Sequence, residues 1–408
     1  MLDALSALKS RLFPTSAQRE QKRCSAAALR LLELRNRSSP ARSGQWPGTP
    51  PPRPPKPDPL QRYALPSGHA GVLAPMMHHR RLLDGRYAMP LRDPHESEAL
   101  NSFITTRSQL VDAALEAPPP ALGVRRPWPD LLPPASHVDL LKRLFQCSHG
   151  LVIGENHAAQ ASKRLLIDHM DTLRRIGVTT LYLEHLQSDL HQKDLDRLHV
   201  TGSLSPALDR FLAAQDAGHN THAASGATFR SVVQAAANAG IRIVALDLMA
   251  SYHLGGAEGT RPSSTPDPLQ LRIKVMNHVA AQRIAHDQRR QRENAHVQRW
   301  VALVGDAHAG AFNDTLGLGE RLGVPSLRVE DISPSRSSRV QVGCDPVRTV
   351  EGGVGRGGGT VQCDYLLQVP ACDGLERNAK PRPCSAAEAL RQHELHMANY
   401  RPATAHTA

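Results

Sequence analysis

The spacing of apolar positions changes at His137. From there, HVDLLKRLFQC places its apolar residues at helical intervals, and the GLVIGE that follows is a short unbroken apolar run of the kind that fills a strand covered on both faces. The alternation continues for nearly two hundred residues. It predicts helices over Gln160–Ile176, Asp189–Leu198, Ser205–Ala217, Phe229–Ala239 and Leu271–Arg292, and strands over Thr180–Glu184, Ile241–Asp247, Trp300–Gly305 and Ser326–Glu330, the last preceded by a short helix. Short strands separated by helices imply an α/β fold: a mostly parallel central sheet with helices on both faces.

The flanking sequence has no such rhythm. Residues 1–60 read as a disordered basic, Pro-rich leader and possible secretion signal: Ala17–Arg37 has the pattern of a short amphipathic docking helix, and Pro47–Pro59, with eight prolines in thirteen residues, is a polyproline II linker. Residues 61–135 form a partly ordered lead-in, where a helix over Glu96–Ala117 is stopped by the prolines that begin at Pro118. The α/β domain occupies 136–335. Residues 336–408 are expected to form a Gly/Arg-rich hairpin and a flexible tail, with strands Arg339–Val342 and Thr360–Val369 pairing across the tip Gly352–Thr360.

Composition refines this division. Of 408 residues only 4% are aromatic, while 32 are Pro and 29 Gly, which is lean for a chain packed throughout. The net charge of +11 suggests a nucleic-acid partner, but residues 1–60 hold 11 basic and 4 acidic side chains, so most of the excess belongs to a solvated leader. Nucleic acid is therefore disfavoured. The six cysteines are widely spaced with no C-x2-C pair, which speaks against a structural zinc site and for free thiols in a reducing compartment. Cys344, Cys363, Cys372 and Cys384 remain able to pair under oxidising conditions. No apolar run is long enough for a transmembrane helix, and the first thirty residues lack the apolar core of a secretory signal.

Candidate chemistry lies where the strands end, because open α/β sheets bind ligands outside the carboxyl ends of their strands. The first strand runs into Gly154-Glu155-Asn156-His157 and the fourth into Gly305-Asp306-Ala307-His308, the same G-x-x-H device 151 residues apart. A glycine leaving a buried strand is expected to let the backbone turn tightly and aim the histidine over the sheet edge. The second strand ends at Glu184-His185 and the third at Asp247. Two imidazoles and a carboxylate converging from three strands suit a divalent metal site or a general acid–base site. Twelve histidines fall between His157 and His308, so most need a structural explanation. His169, His185, His199, His219, His222, His278, His286 and His296 are assigned to exposed helix faces, loops or hydrogen-bonded structural roles, Ser188-Asp189 to a helix N-cap, and Asp247 is left open between structure and function.

The paired G-x-x-H motifs with a strand-terminal Glu between them resemble the superfamily of Tiki metalloproteases, TraB proteins, erythromycin esterases and ChaN-like haem-binding proteins. YLEHLQSDLHQKDLDRLHVTG, ALDLMASYHL and VALVGDAH are similar to one branch, the bacterial membrane-targeted effector-domain toxins related to dermonecrotic toxins. The resemblance covers about Leu151 to Ser333. It implies one cleft built from Glu155, His157, Glu184, Asp306 and His308, hydrolysis of an amide or ester, a divalent metal ion on His157, Glu184 and His308, and Glu155 as general base. With the flexible leader and the lack of a cleavable signal, this toxin-like domain fits a secreted effector that reaches a recipient cell through a signal-independent bacterial secretion system, with a secretion chaperone on the leader and a host protein or small molecule as substrate. The alternatives carried forward are a haem-binding protein on the same fold, a catalytically silent binding module, and a cytoplasmic protein with a disordered extension.

Overall fold

A computed structural model describes residues 57–66, 68, 69, 73, 94–118, 136–219, 221, 225–251, 268–293, 298–333, 341–350 and 359–371, all within the unit Lys56–Ala408. The amphipathic segment Ala17–Arg37, most of the proline run and the chain after 371 lie outside the described residues.

The elements in chain order are α1 (Pro94–Glu116), α2 (His137–Cys147), β1 (Gly150–Glu155), α3 (Ala161–Arg175), β2 (Val178–Gln187), α4 (Ser188–Thr201), α5 (Pro206–Gly218), α6 (Phe229–Asn238), β3 (Arg242–Asp247), α7 (Pro268–Glu293), β4 (Arg299–Gly305), α8 (Asp306–Ala309), β5 (Ala311–Phe312), α9 (Leu318–Leu322), β6 (Ser326–Ile332), β7 (Gln341–Cys344), β8 (Arg348–Val350), β9 (Gly359–Gln362) and β10 (Tyr365–Pro370). Seven strands form the central sheet in the order β3-β2-β4-β1-β6-β10-β7. Every neighbouring pair is parallel except β10–β7. This is the expected α/β fold.

Strand residues alternate between two apolar layers, as the two-residue period of a strand requires. Leu151, Ile153, Leu181, Leu183, Val301 and Leu303 face the large core built with α2 to α6. Val152, Tyr182, Val244, Ala302 and Val304 face the smaller core that includes Met276, Ala280 and Ile284 of α7. Both faces are filled, which explains why the strands read as unbroken apolar runs. The exposed edge at β3 is closed by a side chain: the Gln192 amide donates to the Ile243 carbonyl at 3.1 Å and accepts from the Ala245 amide at 2.9 Å. A single glutamine thus stands in for a neighbouring strand.

The sheet extends beyond the boundary drawn at 335. The predicted pairing across the Gly-rich tip exists, but between Gln341–Cys344 and Tyr365–Pro370, and the single strand expected over Thr360–Val369 is two strands in two sheets. The break falls at Cys363-Asp364. The Asp364 carboxylate accepts from the Ser326 amide and hydroxyl at 2.8 Å, and the Cys363 amide donates to Asp345 at 2.8 Å, so neither residue continues a ladder. β9 instead pairs with β5 and β8 in a three-stranded antiparallel sheet. Asp345, fully buried, grips the Arg328 guanidinium through Nε at 3.0 Å and Nη2 at 2.5 Å. The disulfide possibility finds no support among the described residues, where Cys147, Cys344 and Cys363 are free thiols.

Asp345→Ala is expected to lower unfolding free energy by about 3–5 kcal/mol, since it strands a buried guanidinium and an amide. Urea denaturation followed by circular dichroism measures this. A change within ~0.5 kcal/mol, the range of ordinary surface substitutions, would show that residues after 335 are not part of the folding unit.

Candidate active site

β1 and β4 are adjacent and parallel, in a register that sets Gly154 beside Val304 and Glu155 beside Gly305. Both G-x-x-H segments therefore leave the sheet at one level, side by side. The chain passes from β1 toward the β3 edge and from β4 toward β6 on the other side, so this is also where the sheet's winding reverses, the place where open α/β folds form their ligand crevice. The two glycines matter for space and not for an unusual turn: Gly305 has φ −62° and ψ 150°, which any residue adopts. A Cβ on Gly305 would stand 3.0 Å from His157 Cε1 and 3.5 Å from Glu184 Oε2, and one on Gly154 would stand 2.8 Å from Ala309 Cβ. The two segments also differ in form, since His157 sits in a loop whereas His308 lies within the short helix α8.

On the α3–α6 side of the sheet, Glu155 is buried at the tip of β1. Its Oε2 accepts from Ser162 Oγ at 2.5 Å and from Lys163 Nζ at 3.0 Å. The fully buried Lys163 also donates to the carbonyls of His157 and Ala159 and lies over the Phe229 ring at 4.3 Å. With Oε2 fixed, Oε1 faces His157 Nδ1 at 3.4 Å and His185 Nε2 at 3.8 Å, and those two nitrogens are 2.9 Å apart. His185 stacks on Phe229, and the His219 ring lies 4.8 Å from that of His157. Burial on its own would lower the His157 pKa, but its hydrogen bond to Glu155 and the charges of Glu184 and Glu155 outweigh this and raise it.

On the α7 side, Glu184 and His308 face each other, with Oε1 and Nε2 3.2 Å apart. Glu184 Oε2 accepts from the Gly305 amide at 2.6 Å. Burial opposes its charge, yet His308, His157, Arg272 and that amide together hold its pKa below the usual value. Asn277 determines the His308 tautomer. Its Nδ2 donates to the Leu316 carbonyl at 3.0 Å, which turns Oδ1 toward His308 Nδ1 at 2.8 Å, so Nδ1 carries the hydrogen. Burial lowers the His308 pKa against the opposing pull of the Glu184 charge, and a single proton between Nε2 and Oε1 satisfies both atoms at 3.2 Å. Asp306 begins α8, where burial raises its carboxyl pKa to about 6 and Arg348 Nη2 holds Oδ2 at 2.5 Å.

The structure thus gathers Glu155, His157, Glu184 and His308 around Gly305, with Asp306 on the flank. Glu184 and His185 point to opposite faces because they are consecutive in β2, which runs on to Gln187 through an irregular register instead of ending at Glu184. His185, assigned a structural role from sequence, joins Glu155 and His157 in a group, among the described residues, whose donor atoms all lie within 4.8 Å of one another. The set His157, Glu184 and His308 is instead divided between the two faces. Ser188-Asp189 is no N-cap, since α4 starts directly after β2 and the half-buried Asp189 carboxylate accepts from the Met249 and Leu65 amides. Asp247 binds Arg272, Ser251 and the Leu248 amide. Sequence inspection also passed over Lys163 and Asn277, although a lysine eight residues after Glu155 on an otherwise apolar helix face was a usable signal.

No protein-family model matches the chain. Over 189 residues, 45% of this chain, the sequence is 33% identical to a multifunctional-autoprocessing repeats-in-toxin of Vibrio vulnificus. This chain therefore shares a segment with a bacterial toxin. It spans only 3% of that toxin's length. Solved structures with a partial likeness include RRSP, a MARTX toxin effector domain from Vibrio vulnificus CMCP6, at TM-score 0.42 and 21% identity over 64% of this chain and 55% of that one. Two others are the type III effector HopBA1, at 0.37 and 17% over 60% and 98%, and a structure of the C-terminal region of Pasteurella multocida toxin, at 0.38 and 15% over 57% and 31%.

In metal-free protein, the His157 ring is expected to titrate above the ordinary 6.5, and higher still in Lys163→Met, because the ammonium lowers it. Its stabilising contribution is then present below pH 6.5 and lost as pH rises through the folded value. A histidine NMR titration measures both, and a midpoint at or below 6.5 would contradict the geometry.

Proposed function

We propose that this domain is a hydrolase of the Tiki, TraB, erythromycin esterase and ChaN superfamily, working as the effector domain of a secreted bacterial toxin on an amide or ester bond in a recipient cell. The observation that carries this reading is the contact of both faces at Gly305, which joins a carboxylate–dihistidine group to an acid–base pair. The 189-residue similarity to a Vibrio toxin supports the toxin part.

The donor set fits a divalent cation. Bonds of about 2.0–2.1 Å in a tetrahedron put neighbouring donors about 3.3 Å apart. The separations among His157 Nδ1, His185 Nε2 and Glu155 Oε1 are 2.9, 3.4 and 3.8 Å. Glu155, His157 and His185 would hold the ion, which when bound supplies Lewis-acid polarisation and a more acidic water. Ser162 and Lys163 orient Glu155 from behind, as outer partners of a ligating carboxylate do.

Glu184 then serves as the base in place of Glu155, whose Oε2 is already committed to Ser162 and Lys163. The Glu184 carboxylate takes a proton from the attacking water and shares it with His308 Nε2, which Asn277 keeps ready as an acceptor. As the water oxygen adds to the carbonyl carbon and the C–N or C–O bond breaks, that proton passes to the departing nitrogen or oxygen.

The purified protein should carry one divalent ion per chain by elemental analysis, lost in His185→Ala and kept in His308→Ala. Retention by His185→Ala would remove the proposed ligand set. Expressed in yeast, Glu184→Gln is expected to reduce growth inhibition by about 100-fold or more, the size of a lost general base, with an unchanged melting midpoint. Full toxicity in that variant would overturn the hydrolase reading.

A further inference from the structure

A second site lies at the opposite end of the sheet. The start of β4, the end of α3 and the last turn of α2 surround a cavity of about 320 Å³ lined by Lys142, Phe145, Gln146, Arg175, Ile176 and Arg299. Arg299 opens β4 and Gly305 closes it, so the cavity is about 20 Å from the histidine cluster at the rise of a strand. Three cations from three elements face it. None of its lining residues is acidic.

These cations are held differently from several others in the fold. Elsewhere in the fold, Arg143, Arg230, Arg272 and Arg328 each lie against a carboxylate that neutralises them. The two cavity arginines are positioned by neutral acceptors instead. Arg175 donates to the Asp171 carbonyl at 3.3 Å and to Thr172 Oγ1 at 3.1 Å. Arg299 donates to the Ile176 carbonyl, and its guanidinium sits 6.0 Å from the centre of the Phe145 ring. Among the described residues, no carboxylate comes within ion-pair distance of Arg175, Arg299 or Lys142. The guanidinium groups are therefore oriented while their charge stays uncompensated, above a floor formed by the buried Phe145 and by Ile176.

We propose that this cavity is a binding site for a phosphate monoester. A tetrahedral dianion matches three cations lining one cavity better than a carboxylate does, and planar guanidinium groups bind phosphate oxygens two at a time. The apolar floor accommodates the body that carries the phosphate. This site is independent of the hydrolase reading, since it shares no residue with the histidine cluster.

The test uses the full chain. Isothermal titration with inorganic phosphate and with inositol hexakisphosphate measures soluble ligands. Flotation with phosphatidylcholine vesicles, with and without phosphatidylinositol 4,5-bisphosphate, measures headgroups, all at about 0.15 M salt, where diffuse attraction is screened beyond about 8 Å. Binding to at least one probe is expected, weakened tenfold or more by Lys142→Glu and by Arg175→Glu. Lys142 is exposed and makes no ion pair among the described residues, so its variant should melt at the wild-type temperature. Binding in solution would identify a soluble phosphorylated ligand, and binding to vesicles alone a lipid headgroup. No binding to any probe would overturn the proposal, as would binding that both variants leave intact, which would assign it to the basic leader.

Discussion

The parallel register of β1 on β4, with Glu155 opposite Gly305, is the constraint on which the rest of the site depends. It places two segments 151 residues apart at one level of the sheet. It also makes the residue between them a glycine, since any side chain there would press on His157 and Glu184. Shift β1 by one residue and Glu155 leaves the face of His185; shift β4 by one and His308 leaves the face of Glu184. The strength of this register comes from Leu151, Ile153, Val301 and Leu303 on one face and Val152, Ala302 and Val304 on the other, all buried. Core packing on two faces therefore fixes the position of polar groups that contribute little packing of their own.

The site consequently works as two halves with different electrostatics. The half with Glu155 is compensated by a buried lysine, and its imidazole is made more basic. The other half pairs Glu184, whose pKa is lowered, with His308, whose pKa burial also lowers and whose Nδ1 is held by an asparagine on α7. Environments that push neighbouring titratable groups in different directions are characteristic of acid–base chemistry. Arg348, from the small sheet, reaches Asp306 at the rim of this centre, so the region after 335 contributes to the site as well as to the fold.

Much of this was legible in the chain. Strands covered on both faces announce themselves as apolar runs, and the two G-x-x-H strings marked the correct strand ends. Less visible were features that depend on which face a residue takes. His185 follows Glu184 in a strand, so the two take opposite faces, but adjacency alone does not say which of them turns toward α7 and which toward Phe229. Asn277 lies on a helix where it looks like an ordinary polar position; only the sheet order brings that helix over the cleft. The split of Thr360–Val369 into two strands was hidden for a similar reason, because Asp345 and Ser326, far away in the chain, capture the backbone and side chain at the break.

Proximity of the two histidine turns can be observed in solution without any substrate or metal. In a nuclear Overhauser experiment on the full chain, the Hε1 proton of His157 should show a strong cross-peak to the Gly305 Hα protons, as a Cβ at that glycine would lie 3.0 Å from His157 Cε1. A His157 ring whose cross-peaks stay within its own loop, with none to Gly305, would mean that β1 and β4 do not meet in this register, and the shared site would not exist.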